Sequence, residues 1–162
     1  MIATLSGTRA ESAPLVARTV LALVMFPHGA QHALGWFGGP GLTATVAWMS
    51  GTLGIPWPLA ALAVAVELIA PVALLVGVGG RVAAASLIVL MIVAASIHIP
   101  NGFFMNWFGT LKAGSEGYEY HLIAIGLASV IALMGSGMFS VDYALFGGGN
   151  SRRRTRLRPA RG

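Results

Sequence analysis

Four long apolar runs alternate with short connections rich in glycine and aromatic residues. The first runs from about Pro14 to Ala33, the second from Pro58 to Gly77, the third from Val82 to Ile99, and the fourth from about Tyr120 to Phe139. Each approaches the ~20 residues that a helix needs to cross a bilayer, and the third carries no interior charge. Pro14 and Pro58 suit helix starts, where a missing N–H loses nothing. Gly79-Gly80 and the Gly135/Gly137 pair suit helix ends. Packed as buried helices of a soluble bundle, these runs would leave almost no polar face. Between the first two runs, Leu42, Val46, Met49 and Leu53 recur at helical spacing and predict a short helix lying in the membrane interface. The expected fold is all-α: an integral membrane four-helix bundle over residues 14–142. A cytoplasmic leader (1–13) precedes it and a flexible, arginine-rich cytoplasmic tail (143–162) follows.

Composition agrees with a lipid environment. Hydrophobic residues make up 56% of the 162 and charged residues 9%, too little charge to cover a soluble domain. Cysteine is absent, which excludes disulfides, thiolate metal sites and CxxC redox chemistry. The net charge of +5 is not a nucleic-acid signal, because six of the ten basic residues stand in the C-terminal RRRTRLRPARG. That stretch reads as a lipid-facing cytoplasmic end. The first run is too long for a signal peptide and lacks a small-x-small cleavage site, so it reads as an uncleaved anchor. With both ends on one side, Arg9, Arg18, Arg81 and the six tail arginines oppose Lys112 alone, nine against one. This asymmetry predicts both termini in the cytoplasm and the 34–57 and 100–118 loops outside.

The same topology gathers all four histidines near the outer leaflet. His28 and His32 end the first span, His98 ends the third and His121 begins the fourth. Glu67, in the second span, falls roughly 13 Å below the outer edge and His28 roughly 8 Å, at 1.5 Å per residue. Depth matching therefore predicts that Glu67 and His28 touch, directly or through one water, with His32, His98 and His121 leading outward and His98 and His121 closing the same cavity. A carboxyl in hydrocarbon is unfavourable by about 2.5–3.5 kcal/mol on insertion scales and requires a partner. Ala60, Ala63, Glu67 and Ala70/Pro71 form one small-residue stripe, the kind of face on which another helix packs. Either Glu67 is a neutral acid joining two helices, or it handles protons or binds a ligand.

The HxxxH spacing of His28 and His32 is also zinc-ligand spacing, though neither HExxH nor cysteine accompanies it. A bis-histidine haem is a further alternative. Pro27 predicts a kink just before His28. The aromatic loops GWFGGPG and HIPNGFFMNWFG read either as an interfacial belt or as a lid over the polar pocket. His28 precedes Trp36-Phe37-Gly38 by eight residues and His98 precedes Trp107-Phe108-Gly109 by nine. This faint repeat is the pattern of two parallel helical hairpins related by an axis along the membrane normal.

HGAQHALGWFGGPGLTAT, the AVELIAP segment around Glu67, Arg81 after VGVGG, HIPNGFF and GYEYHL together resemble the DoxX family of bacterial four-helix membrane proteins. The resemblance runs from about Arg18 to Asp142. One departure is His32, where the family pattern often has lysine. The resemblance implies an inner-membrane protein tied to quinone redox chemistry, either as a small oxidoreductase subunit or as a membrane partner of stress-response enzymes.

A quinone needs hydrogen-bond partners for two carbonyls and a proton route to water. Glu67 and His28 are the expected catalytic pair. His32, His98, His121, Asn101, Trp36 and Tyr120 are the expected ligand contacts. Histidine relays protons near neutral pH. Without cysteine or a nucleotide fingerprint the chain carries no electron carrier of its own, so a quinone cofactor and a partner oxidoreductase are expected beside the membrane lipids. The other class of reading is a non-catalytic scaffold for such an enzyme, or a protein that binds or transports a small lipophilic solute.

Overall fold

The computed structural model describes residues 7–110, 112 and 114–147, and among these it is all-α with no strand. Its helices are α1 (Ser12–Leu34), α2 (Gly41–Thr52), α3 (Trp57–Val76), α4 (Gly80–His98), α5 (Glu119–Met134) and α6 (Val141–Phe146), with single 3-10 turns at Trp36–Gly38 and Ile99–Asn101. α1, α3 and α4 with its 3-10 extension are long and apolar enough to cross a membrane. α5 is apolar but has 16 residues. It stops at Met134, short of the expected Phe139, because Gly135 leaves helical geometry at φ 87°, ψ −168°. α1 runs without a break through Pro27.

The helix exteriors are as apolar as the interior. Leu23, Leu62, Ile69, Val89 and Ile92 are all more than half exposed, and only 28% of α3 and 22% of α4 are buried within the protein. Such faces suit acyl chains. In lipid no hydrophobic force drives helices together, so close packing and interhelical polar contacts must hold them. The core is built from Leu21 and Met25 of α1, Leu74 of α3, Leu87 of α4, and Ala128 and Ile131 of α5. The widest seams join α1 to α3 and α4 to α5. Narrower ones join α3 to α4 and α1 to α5.

The α1–α3 seam depends on Gly29. A Cβ there would lie 2.2 Å from the backbone oxygen of Glu67 and 2.7 Å from the Cα of Leu68, so only glycine lets these backbones meet. The expected small-residue face of α3 supplies the other side, with Ala60 fully buried and Ala70 nearly so.

One end of the bundle is closed by crossed helix caps. Arg18, on α1, is 2% exposed. Its guanidinium donates to the carbonyls of Leu74 (2.7 Å) and Leu75 (2.6 Å) at the end of α3, and to Phe139 (2.7 Å). Arg81, on α4, donates in the same way to Ala132 and Leu133 at the end of α5. The last carbonyls of a helix lack internal partners and carry partial negative charge. Each arginine therefore satisfies the long helix next after its own, α3 for Arg18 and α5 for Arg81, once per hairpin, in keeping with the repeat seen in the sequence. Asp142 does the reverse for α4. Its carboxylate accepts from Gly79 N (3.0 Å), Gly80 N (3.1 Å) and Ser136 Oγ (2.6 Å). Gly77, at φ 76°, allows the close approach, since a Cβ there would meet the Ser140 side chain at 2.4 Å. Arg18, counted in the sequence among the charges of the cytoplasmic side, is a buried cap.

The segments flanking the bundle meet at this same end. Thr8 Oγ1 accepts from Gly137 N (2.8 Å), the Glu11 carbonyl from Met138 N (3.1 Å), and the Gly7 carbonyl from Arg81 (3.1 Å). Ser12 and Ala13, expected in the leader, belong to α1, and Tyr143–Phe146, expected in the tail, belong to α6. The arginine-rich stretch from 151 onward lies outside the described residues.

Candidate functional site

The opposite end opens into a cavity of about 370 Å³, within the range of small-molecule sites. Helices α1, α3, α4 and α5 supply its polar wall: His28, His32, Glu67, His98, Tyr120 and His121 all line it. α2 covers it with Trp48, Met49 and Leu53, and the loop after α4 adds Met105 and Glu116.

Glu67 is bonded to His32 and not to His28. His32 Nδ1 lies 2.6 Å from Glu67 Oε2, and the two side chains are 33% and 12% exposed. The direct partner of Glu67 is thus His32 where His28 was expected, directly or through a water, and the reason is directional. Gly29 places the backbones of His28 and Glu67 at one level, as depth matching requires. However, Cα–Cβ bonds tilt toward each helix's own N-terminus, and α1 and α3 run in opposite directions. The Glu67 side chain therefore rises toward the cavity end, while the side chains of α1 lean away from it. The residue that meets Glu67 is one turn beyond His28. His28 instead rests against Tyr120, ring centroids 6.0 Å apart.

The bond at His32 Nδ1 leaves Nε2 for a ligand or a water, and the pair shares one proton whichever partner holds it. Such short charge-assisted bonds are about twice as strong as neutral ones. Thr45 fixes the arrangement from α2. It is 3% exposed, and its hydroxyl is 3.2 Å from the His32 carbonyl and 2.8 Å from that of Gly41. Sequence reading passed over Thr45, although it stands on the same side of α2 as Leu42 and Met49 of the expected apolar stripe.

A second polar group faces the first. His98 and His121 lie with ring centroids 4.8 Å apart. His98 Nδ1 is 2.8 Å from the Ala94 carbonyl, so it donates there and leaves Nε2 as an acceptor. His121 is 6% exposed, and its Nδ1 is buried without a hydrogen-bond partner. Such a group is unfavourable unless something fills the site. Among the described residues the Tyr120 hydroxyl donates to the Met25 sulfur, at 3.1 Å, a weak acceptor.

Two expected ligand contacts lie elsewhere. Trp36 packs edge-on against Phe26 and Phe37 and is 53% exposed, because Gly35 turns the chain left-handed directly after α1. Asn101 acts as a latch. Its amide donates to the carbonyls of Gly114 (3.1 Å) and Glu116 (3.0 Å), which holds the loop and brings Glu116 to the cavity. The loop side chains divide accordingly: Phe104, Trp107 and Phe108 are exposed, while Met105 lines the cavity. Of the expected apolar stripe on α2, Met49 and Leu53 reach the cavity; Leu42 is exposed. The HxxxH reading gains no third ligand. Among the described residues no three His, Asp or Glu side chains are grouped to hold a metal.

The DoxX family model matches residues 13–107, well over half the chain. The chain belongs to the DoxX family. The match covers α1 to α4 and so includes His28, His32, Glu67 and His98. Tyr120 and His121 lie beyond it, in the part of the resemblance that ran on to Asp142. No curated protein and no solved structure matches the chain. Family membership and the long apolar helices together make this DoxX chain a membrane protein.

Proposed function

We propose that this DoxX protein is a four-span inner-membrane protein whose cavity binds a quinone and passes a proton through His32 and Glu67. The observation that carries the reading is the His32–Glu67 bond at the wall of a largely apolar cavity that also holds an unpartnered His121 nitrogen. The residues fit the group. A quinone head has two carbonyls on a flat apolar ring, and the cavity offers unused or weakly used polar atoms on Tyr120, His121 and His32 between methionine and leucine side chains. A bound quinone supplies reversible acceptance of two electrons and two protons. Tyr120 and His121 would orient its oxygens. The His32–Glu67 pair would hold a proton beside them, and α2 would exclude bulk water. Electrons would come from a partner oxidoreductase, since the chain itself has no cysteine.

Purification from native membranes in mild detergent tests this. Mass spectrometry of the extract should find a quinone near one per chain. An extract without any ring-bearing lipophile, together with a tightly co-purifying enzyme, would support the scaffold reading instead.

The topology has its own support. The segments flanking the bundle meet at the Arg18 end, so the chain crosses an even number of times. The 16-residue α5 is then the fourth span, about 24 Å long, and local thinning of the bilayer accommodates it. Removing the capping residues Arg18 and Arg81 from the nine leaves seven basic residues against Lys112, which still predicts the flanking ends inside. Cysteines placed singly at Ser115 and Ser151 test it. A membrane-impermeant maleimide applied to intact cells should label the first and spare the second, and labelling at Ser151 would overturn the four-span arrangement.

A further inference from the structure

We infer that the ligand reaches the cavity sideways from the lipid, between α2 and α4, and that it carries an apolar tail which stays in that opening. The inference rests on the reading of the cavity as a lipophile site and names the class of lipophile.

Two observations carry it. First, α2 packs on α1 and α3 but has no comparable seam with α4, although both helices wall the cavity. The wall between them consists of Trp48 and Met49 on one side and Val93 and Ile97 on the other. Trp48, Val93 and Ile97 line the cavity, yet they are 53%, 47% and 37% exposed. A cavity-lining side chain so exposed marks an opening. Val93 lies five residues before the end of α4, about 8 Å along the helix, so the opening faces hydrocarbon. Its rim is entirely apolar.

Second, the described residues of the loop after α4 are braced across the alternative route. Asn101 holds Gly114 and Glu116. The Glu119 carboxylate accepts from Met105 N (3.2 Å) and Trp107 Nε1 (2.9 Å). Backbone bonds join Gly117 to Phe104 and Glu119 to Phe103, at 3.0 and 2.9 Å. A polar solute arriving from water would have to break this latch, whereas a tailed amphiphile would only have to part Trp48 from Val93. The chemistry of the opening therefore selects a ring-headed molecule with an alkyl or isoprenoid chain over a tail-less ring.

The full chain in lipid nanodiscs, with a benzoquinone bearing a decyl tail and a photoreactive diazirine near the ring, tests the inference. Label that unlabelled decyl-benzoquinone competes away should fall on Trp48, Met49, Val93 and Ile97, and label on the lipid-facing Val89 should resist competition. Competed label confined to Met105 and Glu116 would overturn the lateral route while leaving the cavity reading intact. No competed label anywhere would overturn both.

A second arm uses the absence of natural cysteines. Met49→Cys with Ile97→Cys, bridged by a short reducible cross-linker, should slow association of decyl-benzoquinone by about tenfold or more, as expected when binding must await an opening. Reduction should restore the rate. An unchanged rate in the bridged protein overturns the proposal. If that pair does not fold, Trp48→Cys with Val93→Cys spans the same gap and is read the same way.

Discussion

Glu67→Gln is expected to leave the helices assembled and to change binding of decyl-benzoquinone little, because Tyr120, His121 and His32, not Glu67, are the groups that would meet its oxygens. The amide has the shape of the carboxyl and can still donate to or accept from His32 Nδ1, so the α1–α3 seam is kept. It cannot hold or release the shared proton. Proton-coupled turnover with a partner enzyme should therefore fall further than binding, by about 10²-fold or more, the usual contribution of a positioned acid–base group. Glu67→Leu is a different experiment. It leaves His32 without a partner in a part-buried position and should lower stability by about 1–3 kcal/mol. His28→Ala should have a much smaller effect than either, because His28 rests on Tyr120 and makes no bond to Glu67. Titration of purified protein with the quinone, alongside turnover and thermal unfolding, separates these cases. If Glu67→Gln binds and turns over like the natural chain, the carboxyl serves only to join two helices and the proton route is lost.

Much of the fold was legible because its signals are local. An apolar run of about 20 residues defines a helix without reference to the rest of the chain; proline opens and glycine closes the runs of α1 and α3, glycine precedes that of α4, and all three helices follow their runs closely. The gathering of histidines and Glu67 was legible too, since alternate helices must bring their ends to the same side. What failed was any inference that needed side-chain direction. Counting residues placed Glu67 level with His28 and was right about the backbones, as Gly29 shows, yet the opposed tilts on antiparallel helices handed the contact to His32. Asn101 and Trp36 were placed in the site by proximity along the chain; one turned out to hold a loop and the other to leave the bundle after Gly35. The arginine caps were beyond reach for another reason. Arg18 and the carbonyl of Phe139 are far apart in sequence, and only the finished bundle brings them together.

Those caps support the remaining prediction. Arg18→Met should destabilise the protein by about 3–5 kcal/mol, the range found when a buried charged partner is removed. Methionine fills the same stem volume, so packing against Leu21 and Leu74 changes little. What is lost is the guanidinium, and with it the side-chain hydrogen bonds to the Leu74, Leu75 and Phe139 carbonyls, of which Leu74 keeps the backbone bond from Gly77 N (3.1 Å). Backbone oxygens left bare in an apolar setting are strongly unfavourable. Arg18→Lys should lie between the two. An ammonium keeps the charge and caps α3, but as a compact head on a flexible stem it cannot span α3 and Phe139 as the planar fork does. Arg81→Met should cost less than Arg18→Met because that side chain is less enclosed, and the two losses should add, since they act on separate helix ends. Denaturant unfolding in detergent, followed by loss of helical circular dichroism, measures each value. Quinone bound per folded chain should stay constant across the series, because the caps sit at the opposite end of the bundle from His32 and Glu67. A variant that kept its stability but lost binding would show that the Arg18 end governs the cavity, and that the two ends are not independent.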